Sequence, residues 1–394
     1  MDLFDKANHW TTADDVRSQD LYLYFRAISS AQDTEVTVNG KRMIMVGSNN
    51  YLGLVNHPEV KAAMIAAIQK YGSGCTGSRF LNGTLDLHET LEIQLASFVN
   101  KEAALVFSTG FQSNLGILST IASRGDFILS DRENHASIVD GCRLSFAKTI
   151  KYDHNDPKNL ESILSRLDYD TPKLIVTDGI FSMGGEICNL PTLVQLKNKY
   201  NARLMVDEAH TIGVLGKHGS GTGEHFLLQN DVDIVMGTFS KSFASLGGFI
   251  ASSRKVIDYL KHVSRPMIFS ASMPPSAVAA VLKSLEIIKR EPERRQRLWA
   301  IAQKMKKGFE DMGYNTGSTQ SPIIPILVGE DAKAFIMSKE LGEEGVFATP
   351  IVSPAVPPGM ALIRTSYTAT HTDEQLDIVL DKFYKIGKKL NIIK

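Results

Sequence analysis

The stretch KLIVTDGIFSMGGEICNLPTLVQLKNKYNARLMVDEAH, residues 173–210, decides the fold. It opens on a short apolar run, KLIVTD (173–178), and closes on another, RLMVD (203–207). Between them LPTLVQLKNKYN (190–201) carries its apolar residues at helical spacing. Strand, helix, strand is the unit from which a parallel sheet is built, because parallel neighbours need a crossover. The runs are apolar throughout, as strands covered on both faces are. The same pattern extends both ways. Upstream lie AALVFS (103–108), with a helix from about Gly110, and DFILS (126–130), with another helix. Downstream lie DIVMGTFS (233–240) and GGFIASS (247–253). The expectation is an α/β fold with a largely parallel sheet, spanning residues 56–285.

Residues 1–55 read as a helical or loose arm followed by a hairpin, TEVTV and RMIMV about the turn Asn39-Gly40. Pro58 opens an amphipathic helix that Gly72 ends. A glycine-rich loop and the helix LDLHETLEIQLASFV (85–99) follow. After residue 285 the character changes. A long helical stretch broken at Pro292 leads into strands SPIIPILV (321–328) and LIRTSY (362–367) and two helices, an α+β module over 286–394.

Composition removes several classes. Lys+Arg and Asp+Glu both number 43, so no basic surface for nucleic acid is expected. Cys75, Cys142 and Cys188 are too few and too dispersed for a disulfide framework or a metal cluster, which suits a reducing compartment. The first residues hold Asp2, Asp5, Asp14 and Asp15 and no apolar core, unlike a signal peptide. No run is long enough to span a membrane. The expectation is a cytoplasmic enzyme with a deep cleft and no metal.

Ligands of open α/β sheets gather at the carboxyl ends of the strands, and three polar clusters fall there. RLMVD ends in Asp207, with His210 three residues on; the carboxylate suits a cationic ring nitrogen. DIVMGTFSK ends in Thr238, Ser240 and Lys241; hydroxyls beside a lysine suit a phosphate, and a desolvated lysine amine suits an aldehyde. In FSTGFQSNLG, Gly110 opens a helix whose free N–H groups suit an anion. His135, after DFILS, can stack on a planar ring, and Arg364, inside an apolar strand, needs an anion such as a carboxylate. Each alone also reads as an ordinary turn, loop or edge residue. Together they meet the needs of pyridoxal phosphate acting on an amino acid.

Longer motifs support that reading: GSNNYLGL (47–54), YGSGCTGSRFLNGTLDLHETLE (71–92), FSTGFQSNLG (107–116), NHASIVDG (134–141), FSMGGEICNLPTL (181–193), VDEAHTIGVLG (206–216), GTFSKSFASLGG (237–248) and FSASMPP (269–275). In content, order and spacing they resemble the α-oxoamine synthase family, pyridoxal phosphate enzymes of fold type I. Members condense an amino acid with an acyl-CoA and release carbon dioxide. The resemblance implies a mostly parallel seven-stranded sheet, a smaller C-terminal α+β domain and a homodimer. LYLYFRAISSAQDTEV (21–36) and VSPAVP (352–357) lean toward the members that use L-serine and a long-chain acyl-CoA. It further implies that Lys241 bonds the cofactor aldehyde, Asp207 pairs with the ring nitrogen, and His210 and Ser182 bond its phenolic oxygen. His135 would stack on the ring and help hold the substrate carboxylate. Gly110, Phe111, Thr238 and Ser240 would bind the phosphate, with Ser270 and Ala271 reaching it from the partner subunit. Asn50 and Arg364 would address the amino-acid carboxylate. Glu208 and Ala271 depart from the family's commoner Asp and Thr. The rival expectations are a member of the same family that uses another amino acid or acyl chain, such as those making 8-amino-7-oxononanoate or 2-amino-3-ketobutyrate, then an aminotransferase or a non-catalytic subunit of the same fold; such subunits lack the lysine.

Overall fold

Asn39 and Gly40 take positive φ of 49° and 75°, the two left-handed positions of a two-residue hairpin turn. They join β1 (Glu35–Val38) to β2 (Lys41–Met45), with Val38 opposite Lys41. The structure, a computed structural model, describes residues 2–394. Seven further strands form the central sheet: β3 (Ala103–Phe107), β4 (Phe127–Asp131), β5 (Lys148–Tyr152), β6 (Lys173–Asp178), β7 (Arg203–Asp207), β8 (Ile234–Thr238) and β9 (Gly248–Ser252). Their order is β3-β9-β8-β7-β6-β4-β5. All neighbours pair in parallel except β9, which runs against both β8 and β3. No crossover helix separates β8 from β9, so the chain returns as an antiparallel neighbour.

The continuous apolar runs are explained by two cores, one on each face of the sheet. Ile175, Leu204, Val206 and Val235 point into one; Leu174, Val176, Met205, Ile234 and Met236 point into the other. Side chains alternate across a strand, so burial on both faces requires every position to be apolar.

The C-terminal part adds β10 (Ile323–Gly329), β11 (Val346–Phe347), β12 (Thr349–Ile351) and β13 (Ala361–Ser366), with β13 central in the order β10-β13-β12. Two features differ from the expected organisation. The hairpin is not a free-standing arm: β2 pairs in parallel with β11, and Ile44 and Val46 lie in the C-terminal core. The helix Pro275–Arg290 runs unbroken through residue 285, and the next, Pro292–Asp311, changes core between Leu298 and Ile301. Its buried residues face the large sheet at one end and the small one at the other, so apolar content alone marks no boundary there.

The glycine-rich loop is pinned by a buried pair. Arg79 donates to both carboxylate oxygens of Glu92, at 2.7 and 3.1 Å, and Glu92 also accepts from the Val106 N–H of β3. Removing one partner strands the other's charge in a buried setting. Glu92→Ala is therefore expected to lower unfolding free energy in urea by about 3–5 kcal/mol; a loss below about 1 kcal/mol would show that the pair behaves as an exposed one.

Candidate active site

The carboxyl ends of β6, β7 and β8 converge on a cavity of about 290 Å³. Its wall includes Gly110, Phe111, His135, Ser182, Asp207, His210, Thr238, Ser240 and Lys241, so nine of the expected residues meet there. The sheet sets this arrangement. Asp178 and Asp207 are in register on adjacent strands, and Asp207 is opposite Met236, two residues before Thr238.

Lys241 is surrounded by Asp207, Asp178 and Arg364. Burial is the largest influence on its amine and lowers its pKa from 10.5 to about 8; the two carboxyls oppose this and the guanidinium adds to it. About a tenth of such an amine is unprotonated at pH 7, far more than for an ordinary lysine. Asp207 is 4% exposed. Its Oδ2 accepts from Asn114 Nδ2 (2.8 Å) and its Oδ1 from the Ala209 N–H (3.0 Å). Asp178 is pushed well above the carboxylate range, by burial first and by the charge of Asp207 second. His210 is held well below its ordinary pKa, chiefly by burial, and its Nδ1 lies 2.7 Å from the Tyr51 hydroxyl.

A candidate phosphate cradle is built where β3 passes into the helix Gly110–Ile121. Thr109 caps that helix through its side chain. Among the described residues, the N–H groups of Gly110 and Phe111 have no protein acceptor. Only glycine fits at 110: a Cβ there would lie 2.6 Å from Thr238 Oγ1. Thr238 and Ser240 hydroxyls sit 2.9 Å apart on the facing loop. Two free N–H groups at a helix start facing two hydroxyls suit a phosphate.

Arg364 does not line the cavity but braces its wall. It donates to the Ser182 carbonyl (2.6 Å), Asn49 Oδ1 (3.0 Å) and Ser366 Oγ (3.4 Å). It is 8% exposed, and among the described residues no carboxylate pairs with it. A buried cation held only by neutral acceptors is suited to receive an anionic ligand.

Asn50, Ser270 and Ala271 lie elsewhere. Asn50 Oδ1 is occupied by the N–H groups of Leu54 and Val55, and the neighbour Asn49 is the one that meets Arg364. Ser270 and Ala271 sit beside Arg79 and His88 at another edge of their own chain, where the Ala271 carbonyl accepts from the Ser108 hydroxyl. Glu208 is buried and accepts from Thr211 and from the Thr222 N–H and hydroxyl, so it ties loops together behind the site. Asn49, Tyr51, Asn114, Ser137 and Asp178 were not singled out from sequence. All but Asp178 lie in the quoted motifs, and the strand-end rule that selects Asp207 selects Asp178 equally.

A larger cleft, about 860 Å³, opens at the amino ends of the strands. Its cations are already matched: Lys173 Nζ donates to three backbone carbonyls, Lys101 Nζ to two, and Arg203 pairs with Asp233. Sheet geometry and chemistry both favour the smaller cavity.

Fold and site together define a cofactor-dependent transferase built on a doubly covered sheet, and comparison with known proteins agrees. The model of the family Aminotransferase class I and II matches residues 41–383. The chain belongs to that family and, within it, to the α-oxoamine synthases. It is 52% identical to a serine palmitoyltransferase of Sphingobacterium spiritivorum, covering 99% of this chain and 98% of the relative. It superimposes on a serine palmitoyltransferase of Sphingomonas wittichii with a TM-score of 0.95, 38% identity and full coverage of both chains. A structure of a serine palmitoyltransferase with pyridoxal phosphate gives the same TM-score at 36% identity, again over 100% of both chains. Among the described residues no helix is long and apolar enough to cross a membrane.

Proposed function

We propose that this protein is a pyridoxal phosphate-dependent acyltransferase that condenses L-serine with palmitoyl-CoA, or a similar long-chain acyl-CoA, to a 3-keto sphingoid base (3-ketodihydrosphingosine from palmitoyl-CoA), CoA and carbon dioxide. The observation that carries the reading is Arg364, a buried guanidinium without an acid partner beside a lysine amine lowered to about 8. One group awaits a carboxylate and the other can act as nucleophile and base, which an α-amino acid substrate requires.

Pyridoxal phosphate, when bound, supplies an aldehyde for the amine and a ring that takes up electron density from the amino acid's Cα. The residues present fit it: a cradle for the phosphate, Asp207 for the ring nitrogen and Lys241 for the aldehyde. His135 would stack on the ring, and Ser182 and His210, on the same cavity wall, would hydrogen-bond its phenolic oxygen. Arg364 orients the serine carboxylate. Lys241, once released by the incoming amine, is the group placed to remove the Cα proton, and an amine near pKa 8 is matched to that task at neutral pH. The resulting carbon nucleophile attacks the thioester carbonyl and expels CoA as its thiolate; the carboxylate then leaves as carbon dioxide, and a proton returned to that carbon completes the condensation. The cavity is at the small end of the range for ligand sites, about 300–1,000 Å³. A long acyl chain therefore extends outside it.

The homodimer belongs to the same proposal. Ser270 and Ala271 do not reach their own cavity, and exposed Phe80, Leu81 and Phe269 flank that edge, which supports a second copy covering it. Three free thiols and the absence of a long apolar helix among the described residues support a cytoplasmic setting.

Two measurements test the proposal. Purified protein incubated with serine, glycine or alanine and acyl-CoAs of several lengths is expected to release carbon dioxide and a long-chain 3-keto base only with serine. Product from glycine or alanine and none from serine would overturn the choice of substrate. Second, apoprotein is expected to capture pyridoxal phosphate faster as pH rises, half-maximally near pH 8 and level above about 9, because the free amine attacks. A rate that keeps rising toward pH 10 would assign an ordinary lysine instead.

A further inference from the structure

Two buried side chains outside the expected set join Asp207 to His135. Asn114 is 0% exposed in the helix Gly110–Ile121. Its Nδ2 donates to Asp207 Oδ2 and to Ser137 Oγ, both at 2.8 Å. Ser137 Oγ lies 2.7 Å from His135 Nδ1, and the Ser137 N–H is aimed at the same nitrogen at 3.2 Å.

Chemistry fixes the direction of every bond. A carboxylate only accepts, so the NH₂ of Asn114 must face Asp207, and its other proton goes to Ser137 Oγ. Ser137 Oγ keeps a second lone pair, but the Ser137 N–H, which can only donate, already treats His135 Nδ1 as an acceptor, and among the described residues the hydroxyl proton has no other acceptor, so it turns toward that nitrogen too. Two donors on that nitrogen, hydroxyl and N–H, leave it no room for a proton. Neutral His135 therefore carries its proton on Nε2, which has no protein partner among the described residues. Protonating Nδ1 would set its N–H against the Ser137 N–H and leave the Ser137 hydroxyl proton without an acceptor among the described residues.

We propose that Asn114 and Ser137 are positioning residues: anchored on Asp207, they lock His135 as the Nε2–H tautomer, so that this N–H is the donor offered to the carboxylate of a bound amino acid. The proposal deepens the functional reading above and rests on it for the identity of the ligand. The surroundings are consistent. Asp178 accepts from the His135 backbone N–H at 3.1 Å, Phe111 stands edge-on to the ring at 6.5 Å, and Asp207, Lys241 and His210 face it through space. Burial, the largest effect, keeps the imidazole below its ordinary pKa against the pull of Asp207.

The test uses holoprotein and reads three quantities other than turnover. In ¹⁵N spectra of histidine-labelled protein, with His135 assigned by the signal lost in His135→Gln, Nδ1 is expected to be unprotonated in the wild type. In Ser137→Ala it is expected to gain proton character, while Ser137→Thr, which keeps a hydroxyl, restores the wild-type signal. The serine dissociation constant, from visible absorbance between pH 6 and about 9, is expected to rise about tenfold in Ser137→Ala, the size of one lost charge-assisted hydrogen bond, and to return within about threefold of wild type in Ser137→Thr. Asn114→Asp, which replaces the donor facing Asp207 with an acceptor, is expected to weaken cofactor binding at least about tenfold. A protonated Nδ1 in the wild type, or Ser137→Ala indistinguishable from it in the spectra, overturns the relay whatever the ligand proves to be. A wild-type protein with the expected ¹⁵N signal but no response to serine overturns the substrate reading alone. Ser137→Thr as defective as Ser137→Ala would reduce Ser137 to a packing role and overturn the proposal.

Discussion

Lys241→Ala is expected to abolish product formation, by about 10⁴-fold or more, and to leave no cofactor covalently trapped by borohydride. The size follows from two losses at one side chain. In the proposed function the amine both bonds the aldehyde and takes the Cα proton, and a general base alone is worth about 10²–10⁴. Alanine also removes a cation between two buried carboxyls, since Asp207 and Asp178 both act on Lys241. A second variant separates these effects. Lys241→Arg keeps the positive charge but stays protonated at any working pH, so it can neither bond the aldehyde nor take a proton. It is expected to be as inactive as the alanine variant while retaining a melting temperature closer to wild type. Peptide mapping after borohydride reduction is the decisive measurement. A tag on another lysine in the wild type, or a Lys241→Arg protein with appreciable turnover, would remove Lys241 from the centre of the site.

What could be read from the sequence follows the range over which the physics acts. The strands of the large sheet are legible because burial on both faces forces unbroken apolar runs, as in KLIVTD and RLMVD. The Asn39-Gly40 turn is legible because positive φ at both positions narrows the choice of residue. By contrast β11 and β12 hold two and three residues and leave no periodic trace. The partner of β2 lies 300 residues away in sequence, a pairing no local pattern records. Within the site, Asp207 stands out because it ends an apolar run, and His210 and Lys241 because each falls three residues past a strand's end. Asn114 does not, because it sits in a helix among apolar residues and looks like any polar helical position until its burial is known. Asn49 and Asn50 are adjacent and chemically identical, so only geometry assigns Arg364 to the first. Ser270 and Ala271 lie beside Arg79 and His88, away from the cavity, a placement no local pattern records.

Asp207→Asn is expected to lower kcat/KM by about 10³-fold, a loss of about 4 kcal/mol in transition-state stabilisation. In the proposed function the carboxylate pairs with the ring nitrogen, and a neutral amide cannot hold a proton there. A structural cost accompanies the substitution. Asp207 accepts from both Asn114 Nδ2 and the Ala209 N–H, and an amide can accept from only one of them, so one donor is left facing an NH₂. A lost hydrogen bond of that kind costs about 1–3 kcal/mol, less than a domain's stability, so the variant is expected to fold with a lowered melting temperature. The neighbouring carboxyl cannot compensate. Asp178 is in register with Asp207 on β6 but is pushed toward its neutral form by burial and by Asp207 itself, and its Oδ2 is engaged by the His135 N–H. The two carboxyls therefore have separate duties, and Asp178→Asn is expected to cost less than about tenfold, since a largely neutral acid is replaced by a neutral amide. Measuring kcat/KM and cofactor affinity for both variants side by side decides the assignment. If Asp178→Asn proved the more damaging while Asp207→Asn kept near-normal turnover, the ring nitrogen would belong to Asp178, and the order of charges across the end of the sheet would be the reverse of the one described.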